Sequence, residues 1–168
     1  MAQETSYAWF PGCWVSNRMP YIEAADRRVL GAFGIELAEM KGKSCCPEPY
    51  AVLALGRDAW LGLAARNLSI AEQMKQSIVT PCPGCYHTLK AADASLRKDQ
   101  SQRERANKLL SGVGRQFKGE IEVEHTASVL HNKIGLEKIS SAIKYPLSGL
   151  RVAVHYGCHL LKPSTVTG

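Results

Sequence analysis

The stretch SIVTPCPGCYH, residues 77–87, carries the features on which the fold and the candidate site depend. Residues 77–80 form a short β-type run that ends at Pro81, and a helix is expected to begin near Tyr86. Cys82 and Cys85 lie between the strand and the helix as a Cys-x-x-Cys pair. The sequence therefore predicts a strand, a cysteine-bearing loop and a helix in direct succession.

Short β-type runs alternate with longer helical patterns along the rest of the chain. The other expected strands are residues 7–10, 35–40, 121–124 and 151–156. Helical patterns cover residues 21–33, 50–76, 127–134 and 136–143, and residues 99–119 are expected to form a helix and then a loop. This alternation predicts an α/β fold with a largely parallel sheet flanked by helices. Loops that follow parallel strands meet at the carboxyl edge of the sheet, so the cysteine-bearing loops are expected to gather there.

Five cysteines share these loops, and their number limits the kinds of site they can form. They are Cys13, Cys45, Cys46, Cys82 and Cys85. A Cys-x-x-Cys pair alone is shared by zinc sites, iron–sulfur sites and thioredoxin-like redox pairs. Structural zinc takes four ligands and an ordinary four-iron cubane also takes four. Five converging thiols therefore leave open a zinc site with a spare thiol or an unusual iron–sulfur cluster.

The residues beside the cysteines suit a negatively charged cluster. Pro47 biases Cys46 toward an extended conformation, which lets adjacent side chains diverge. Gly84 permits close approach of backbone to sulfur. A helix that starts near Cys85 would direct N–H groups and its positive end toward cluster sulfur.

Composition restricts the class of protein. With 168 residues and 45% apolar residues, the chain can build one compact core. No apolar run reaches the roughly 20 residues of a membrane span, and the first residues lack a secretory signal, so a cytoplasmic protein without a membrane span is expected. A disulfide framework is disfavoured, since such frameworks belong mainly to small secreted chains and adjacent cysteines rarely bond to each other.

The net charge of +6 comes mostly from basic residues between positions 90 and 118. Phe117 is the only aromatic residue in that stretch, so the sequence lacks a stacking platform for nucleic acid. We expect no nucleic-acid partner; a solvated helical face or a docking surface for an acidic protein explains the charge better.

The two ends of the chain share a short pattern. Gly12-Cys13 and Gly157-Cys158 both place Gly-Cys directly after a β-type run. The repeat suggests the start of a second copy of the same unit. We therefore divide the chain into a first domain, residues 1–145, and a linker with the truncated start of a second domain, residues 146–168.

The cysteine spacing resembles that of the cysteine-rich CCG domain family. The surrounding sequence is similar to the amino-terminal half of the heterodisulfide reductase component that carries two CCG motifs, its B subunit. The residues that carry this resemblance are 8–14, 44–49, 81–88 and 155–164.

The resemblance implies a cofactor and a reaction. Each CCG motif of the family binds a noncubane 4Fe–4S cluster through five cysteines, one of them bridging, which here would be the five named above. Two such clusters hold the substrate between them and cleave the coenzyme M–coenzyme B disulfide (CoM-S-S-CoB) to two thiols. Partners would be other heterodisulfide reductase-type subunits that donate electrons through iron–sulfur and flavin groups.

Two further residues near the end of the chain are candidates for the site, Cys158 from the resemblance and His159 from the chemistry of its imidazole. Cys158 matches the first ligand of the second motif, and the other four ligands of that motif are absent from this sequence. The chain alone would thus be an incomplete disulfide reductase. His159 could supply a proton to a departing thiolate. The plainer interpretations are a small buried cysteine and an exposed histidine at a helix start.

A rival function is an electron-transfer or structural iron–sulfur module of another CCG-domain oxidoreductase complex, with no substrate of its own. His125 and His131 give no functional signal in the sequence.

Overall fold

A computed structural model describes residues 5–48, 50–155 and 157–167 of the chain. Its sheet has four strands, all parallel, in the order β2-β1-β3-β4. The strands are β1 (Ser6–Trp9), β2 (Glu36–Glu39), β3 (Ile78–Thr80) and β4 (Val123–His125). The expected α/β fold with a parallel sheet is confirmed.

Helices connect the strands and cover both faces of the sheet. Helices α1 (Cys13–Arg18) and α2 (Pro20–Ala32) lead to β2, and α3 (Ala51–Leu55) and α4 (Arg57–Met74) lead to β3. Helices α5 (Pro83–Lys98) and α6 (Gln100–Ser111) lead to β4. After β4 come α7 (Thr126–Ser128), a π-helix (Val129–Ile134), α8 (Leu136–Ala142), α9 (Cys158–Leu161) and α10 (Ser164–Thr167). None of the helices in the described ranges is both long and apolar enough to cross a lipid bilayer.

The alternation of side chains along β1 divides the core into two layers. Ala8 packs with the apolar faces of α4, α5 and α6 on one side of the sheet. Tyr7 and Trp9 point to the other side, where they pack with Leu30 of α2 and Val129 of the π-helix. Successive side chains of a strand face opposite sides, so a strand in a sheet buried on both faces needs apolar residues at every position. Most residues of β1 and β3 are apolar and buried, as this requires.

The strand order creates a switch point between β1 and β3. The chain leaves β1 toward β2 at one edge and later places β3 on the other side of β1. In open parallel sheets the crevice outside the carboxyl ends of such strands is the usual ligand site. The cysteine-bearing loops follow these strands.

The expected strand over residues 151–156 is wrong for the part that the structure describes. Residues 151–155 are irregular and exposed, with Val152 69% and Val154 79% exposed, and Tyr156 lies outside the described residues. The run has strand-like alternation, but a strand needs a neighbour to satisfy its backbone hydrogen bonds. Within the described ranges the sheet contains β1 to β4, and residues 151–155 do not join it.

Three expected helices differ in detail. The pattern over residues 50–76 is interrupted at Gly56, which separates α3 from α4. Helix α5 begins at Pro83 instead of near Tyr86, since proline is favoured in the first helical turn, where its missing N–H costs nothing. The stretch expected as a helix over residues 127–134 is mostly the π-helix.

Candidate metal centre

The five cysteines lie in three loops at the carboxyl edge of the sheet. Cys13 begins α1, shortly after β1. Cys45 and Cys46 lie in the irregular loop after β2. Cys82 is the N-cap residue of α5 and Cys85 is in its first turn, directly after β3. The three loops are far apart in sequence, and the parallel sheet brings them together.

The protonation of the thiols depends on neighbouring thiols in a continuous series. Besides burial, charge and hydrogen bonding at Cys46 and Cys13 raise the pKa of Cys45. Hydrogen bonding with Cys85 likewise affects the pKa of Cys46 and that of Cys82. The series therefore joins all three loops.

Burial and hydrogen bonding set the protonation of the thiols. The thiol of Cys85 donates toward the sulfur of Cys82, and with the N–H groups of Cys85 and Gly84 this lowers the pKa of Cys82 to about 6. The same thiol proton of Cys85 is also shared with the sulfur of Cys46 and lowers the pKa of Cys46, although Cys46 is buried. The pKa of Cys85 is raised because its one thiol proton is held between the sulfur atoms of Cys46 and Cys82. Cys45 is exposed as a residue, yet partial burial of its thiol beside Cys46 and Cys13 raises its pKa. The site thus favours thiolate at Cys46 and Cys82, the form that binds metals.

Gly12 lies against the sulfur atoms. It adopts φ 78° and ψ 159°, a conformation that is essentially restricted to glycine. A Cβ built on Gly12 would lie 2.7 Å from Sγ of Cys85 and 3.8 Å from Sγ of Cys82. Both backbone conformation and space therefore require glycine beside the thiols.

Two side chains that sequence reasoning missed hold the cysteine loops. Asn67 of α4 bonds to the backbone of Ser44 and Cys45. The Nε2 atom of His125 lies 3.0 Å from the carbonyl oxygen of Pro81. Both contacts join residues more than 20 positions apart, so no local sequence pattern predicts them.

His159 lies beside the cysteine series and Cys158 lies outside it. The ring of His159 packs 5.4 Å from the ring of Tyr50 and 5.3 Å from that of His87, centroid to centroid. A charge on His159 is close enough to contribute to the lowered pKa of Cys82. Cys158 is exposed at the start of α9, and the series that links the other five described cysteines does not include it.

The donor set fits an iron–sulfur cluster. Such clusters are held by cysteine thiolates, and the series supplies five sulfur donors from three loops. Over residues 5–48, 50–155 and 157–167, no group of three or more His, Cys, Asp or Glu side chains is arranged to hold a single metal ion.

Comparison with protein families gives one match that covers this region. The family described as the cysteine-rich domain, CCG, matches residues 7–90. The match includes all five cysteines of the series.

Several curated proteins resemble most of the chain. The chain is 41% identical over 155 residues to the B subunit of the ferredoxin/F(420)H(2)-dependent CoB-CoM heterodisulfide reductase of Methanosarcina acetivorans, covering 92% of the chain and 51% of that protein. It is 34% identical over 165 residues to the 8-methylmenaquinol:fumarate reductase membrane anchor subunit of Wolinella succinogenes, covering 98% of the chain and 56% of that protein. The expected resemblance to the B subunit of heterodisulfide reductase is confirmed. The chain spans about half the length of the curated relatives it matches.

A solved structure shares the fold. A hypothetical protein from Helicobacter pylori superposes with a TM-score of 0.65 at 14% identity, over 74% of this chain and 25% of that one. At this identity the match supports the α/β fold alone.

Proposed function

Because the chain belongs to the family of cysteine-rich CCG domains, we propose that it is an iron–sulfur oxidoreductase component of the type found in the B subunit of heterodisulfide reductase. The observation that carries the proposal is the placement of five cysteines on three loops at one edge of the sheet, where the backbone at Gly12 lies against the sulfur atoms of Cys85 and Cys82. Five sulfur donors at a switch point of the sheet suit one cluster that spans three loops.

The cofactor of the proposal is a noncubane 4Fe–4S cluster held by these five cysteines. One fused cluster with a bridging ligand uses all five thiols, whereas zinc or a cubane uses four. Gly12 leaves room for the sulfur atoms, and the N–H groups of Gly84 and Cys85 stabilise negative charge on Cys82. When bound, the cluster supplies electrons and iron sites that accept sulfur.

The proposed reaction is reductive cleavage of the CoM-S-S-CoB disulfide. The S–S bond breaks, two electrons enter from a donor protein, and two protons convert the two thiolates to thiols. This chain's own contribution is a proton source at the site. The imidazole of His159 contacts the rings of Tyr50 and His87, and its charge contributes to the lowered pKa of Cys82. In the proposal His159 gives a proton to a departing thiolate.

The complete reaction needs more than this chain supplies. We propose a domain boundary near residue 145, with residues 146–168 as a linker and the start of a second CCG domain, in which Cys158 is the first ligand. Segments α9 and α10 pack on α5, beside the Cys82 loop; for example, Tyr86 donates to the carbonyl oxygen of Thr167 at 3.1 Å. A second domain that continues from them would start close to the first site. Iron–sulfur and flavin subunits are the proposed electron donors, and a cytoplasmic location stays a prediction.

The rival function is an electron-transfer module in a fumarate reductase type of complex. The similarity to the Wolinella succinogenes fumarate reductase subunit favours it. In that case the cluster would pass electrons and bind no disulfide.

An anaerobic assay of thiol release separates the two functions. The 168-residue chain, reduced by a strong donor, should release little thiol from the heterodisulfide, because it carries one of the two five-cysteine sets that the proposed reaction needs. Adding a polypeptide with the remaining Cys-Cys and Cys-x-x-Cys ligands should restore release, since orientation between two groups contributes about 7 kcal/mol or more to such a reaction. No thiol release in either mixture, with a cluster present and reducible, would favour the electron-transfer module. Robust release by the chain alone would contradict the two-cluster mechanism.

A further inference from the structure

Asn67 is a buried polar side chain in the middle of α4, and it is 0% exposed. Its Oδ1 accepts a hydrogen bond from the backbone N–H of Ser44 at 2.9 Å, and its Nδ2 donates to the carbonyl oxygen of Cys45 at 2.9 Å. The hydroxyl of Ser44 lies 3.4 Å from the same Oδ1. One amide thus uses both its donor and its acceptor on two consecutive residues.

The chemistry of this contact selects asparagine. An amide offers an acceptor and a donor on one short side chain. A carboxylate at this position would keep the acceptor but lose the donor to Cys45. An apolar side chain would remove both of these part-buried hydrogen bonds, and their loss is destabilising.

The contact fixes a loop that has no regular structure of its own. Residues 43–48 belong to neither a helix nor a strand. The two hydrogen bonds close a ring through the backbone of Ser44 and Cys45, which restricts the rotations that orient the Cys45 side chain. In the loop held in this way, Cys45 is exposed and the adjacent Cys46 is buried.

We infer that Asn67 is a positioning residue that sets the directions of the Cys45 and Cys46 sulfur atoms toward the cluster. The inference rests on the proposed function, since it assumes that these cysteines are ligands. Asn67 acts through the backbone that carries the sulfur atoms and not by binding the cluster itself.

The chain contains a matched control for this contact. Asn107 of α6 makes the same pair of bonds to Phe117, donating to its carbonyl oxygen at 3.1 Å and accepting from its N–H at 2.8 Å. Phe117 lies in the loop before β4, at the amino edge of the sheet. The Asn107 contact is therefore equivalent in chemistry and lies at the edge opposite the cysteines.

The test compares Asn67→Ala with Asn107→Ala in the full chain, prepared anaerobically with its cluster. Three quantities are measured: the free energy of unfolding, the electron paramagnetic resonance spectrum of the reduced protein, and the rate of iron loss to a chelator. Both variants should lose stability. Only Asn67→Ala should shift the spectrum and speed iron loss, by about 10-fold, as the loss of an outer contact to metal ligands does.

Each other outcome is decisive. An Asn67→Ala protein with the wild-type spectrum and rate of iron loss would overturn the inference, because Asn67 would then be structural in the way Asn107 is. If Asn67→Ala does not fold, the isosteric Asn67→Asp is measured on the same three quantities, and failure of both to fold assigns Asn67 to folding and overturns the inference. Wild-type protein that binds no iron would refute the proposed function itself, which separates the two failures.

Discussion

Gly12 and the sulfur of Cys85 are so close that a single added carbon would collide with the thiol: a Cβ on Gly12 would lie 2.7 Å from Sγ of Cys85. The contact joins the loop after β1 to the first turn of α5. The backbone of Gly12 therefore lies directly against the thiols, at the carboxyl ends of the neighbouring strands β1 and β3.

Gly12→Ala should lose most of the bound iron. The new methyl group must displace Cys85, and the φ of 78° strains any residue other than glycine. The measurement is iron per chain after anaerobic preparation, with the free energy of unfolding alongside it.

The control for that substitution is Gly135→Ala. Gly135 is also a helix N-cap residue, with φ 86° and ψ 147°, and a Cβ there meets nothing within 4 Å. It should lose about 1–3 kcal/mol of stability from backbone strain and keep its iron. Equal iron content in the two variants would show that the contact between Gly12 and Cys85 has no bearing on the cluster.

Cys45→Ser and Cys82→Ser should each lose iron and part of the stability of the fold. Ligands from separate loops convert part of the metal-binding free energy into folding free energy. Cys158→Ser is the matched control, since Cys158 is exposed and outside the series of five thiols. Its iron content should equal that of the wild type. If Cys158→Ser lost its iron, the division of the six cysteines into five ligands and one cysteine that does not bind the cluster would be wrong.

His125 should make the fold less stable at acidic pH. Its Nδ1 accepts from the N–H of Ala127 at 3.1 Å, so the proton sits on Nε2, which donates to Pro81. Burial lowers the pKa of His125 below its ordinary value. The unfolded chain therefore takes up a proton near pH 6.5, before the native state does, and stability is lost as pH falls below that value, by at most about 1.4 kcal/mol per pH unit.

Urea denaturation between about pH 5 and pH 8 checks this pH dependence. His125→Gln should flatten the curve relative to the wild type, and the exposed His131→Gln serves as the control that leaves His125 in place. An unchanged slope in His125→Gln would mean that other groups cause the acid sensitivity.

The sheet and the placement of the cysteine-bearing loops at its carboxyl edge were predictable from the sequence because both depend on local patterns. β-type runs before Cys13 and Cys82 fix which loops follow strands, and parallel strands send those loops to one edge. The strand expected over residues 151–156 is wrong for the described residues 151–155, because alternation alone does not supply a neighbouring strand.

The residues that hold the loops were not predictable in this way. Asn67 and His125 look like ordinary helix and strand residues in the sequence. Their contacts to Cys45 and Pro81 exist only after the chain has folded and brought distant segments together. His125 in particular gave no functional signal, although it is bonded to the residue before Cys82.

The central claim is that Cys13, Cys45, Cys46, Cys82 and Cys85 together hold one iron–sulfur cluster. The most direct measurement is the iron, sulfide and zinc content of the anaerobically prepared chain. We predict about four irons and as many sulfides per chain, with essentially no zinc. A colourless protein with stoichiometric zinc would contradict it.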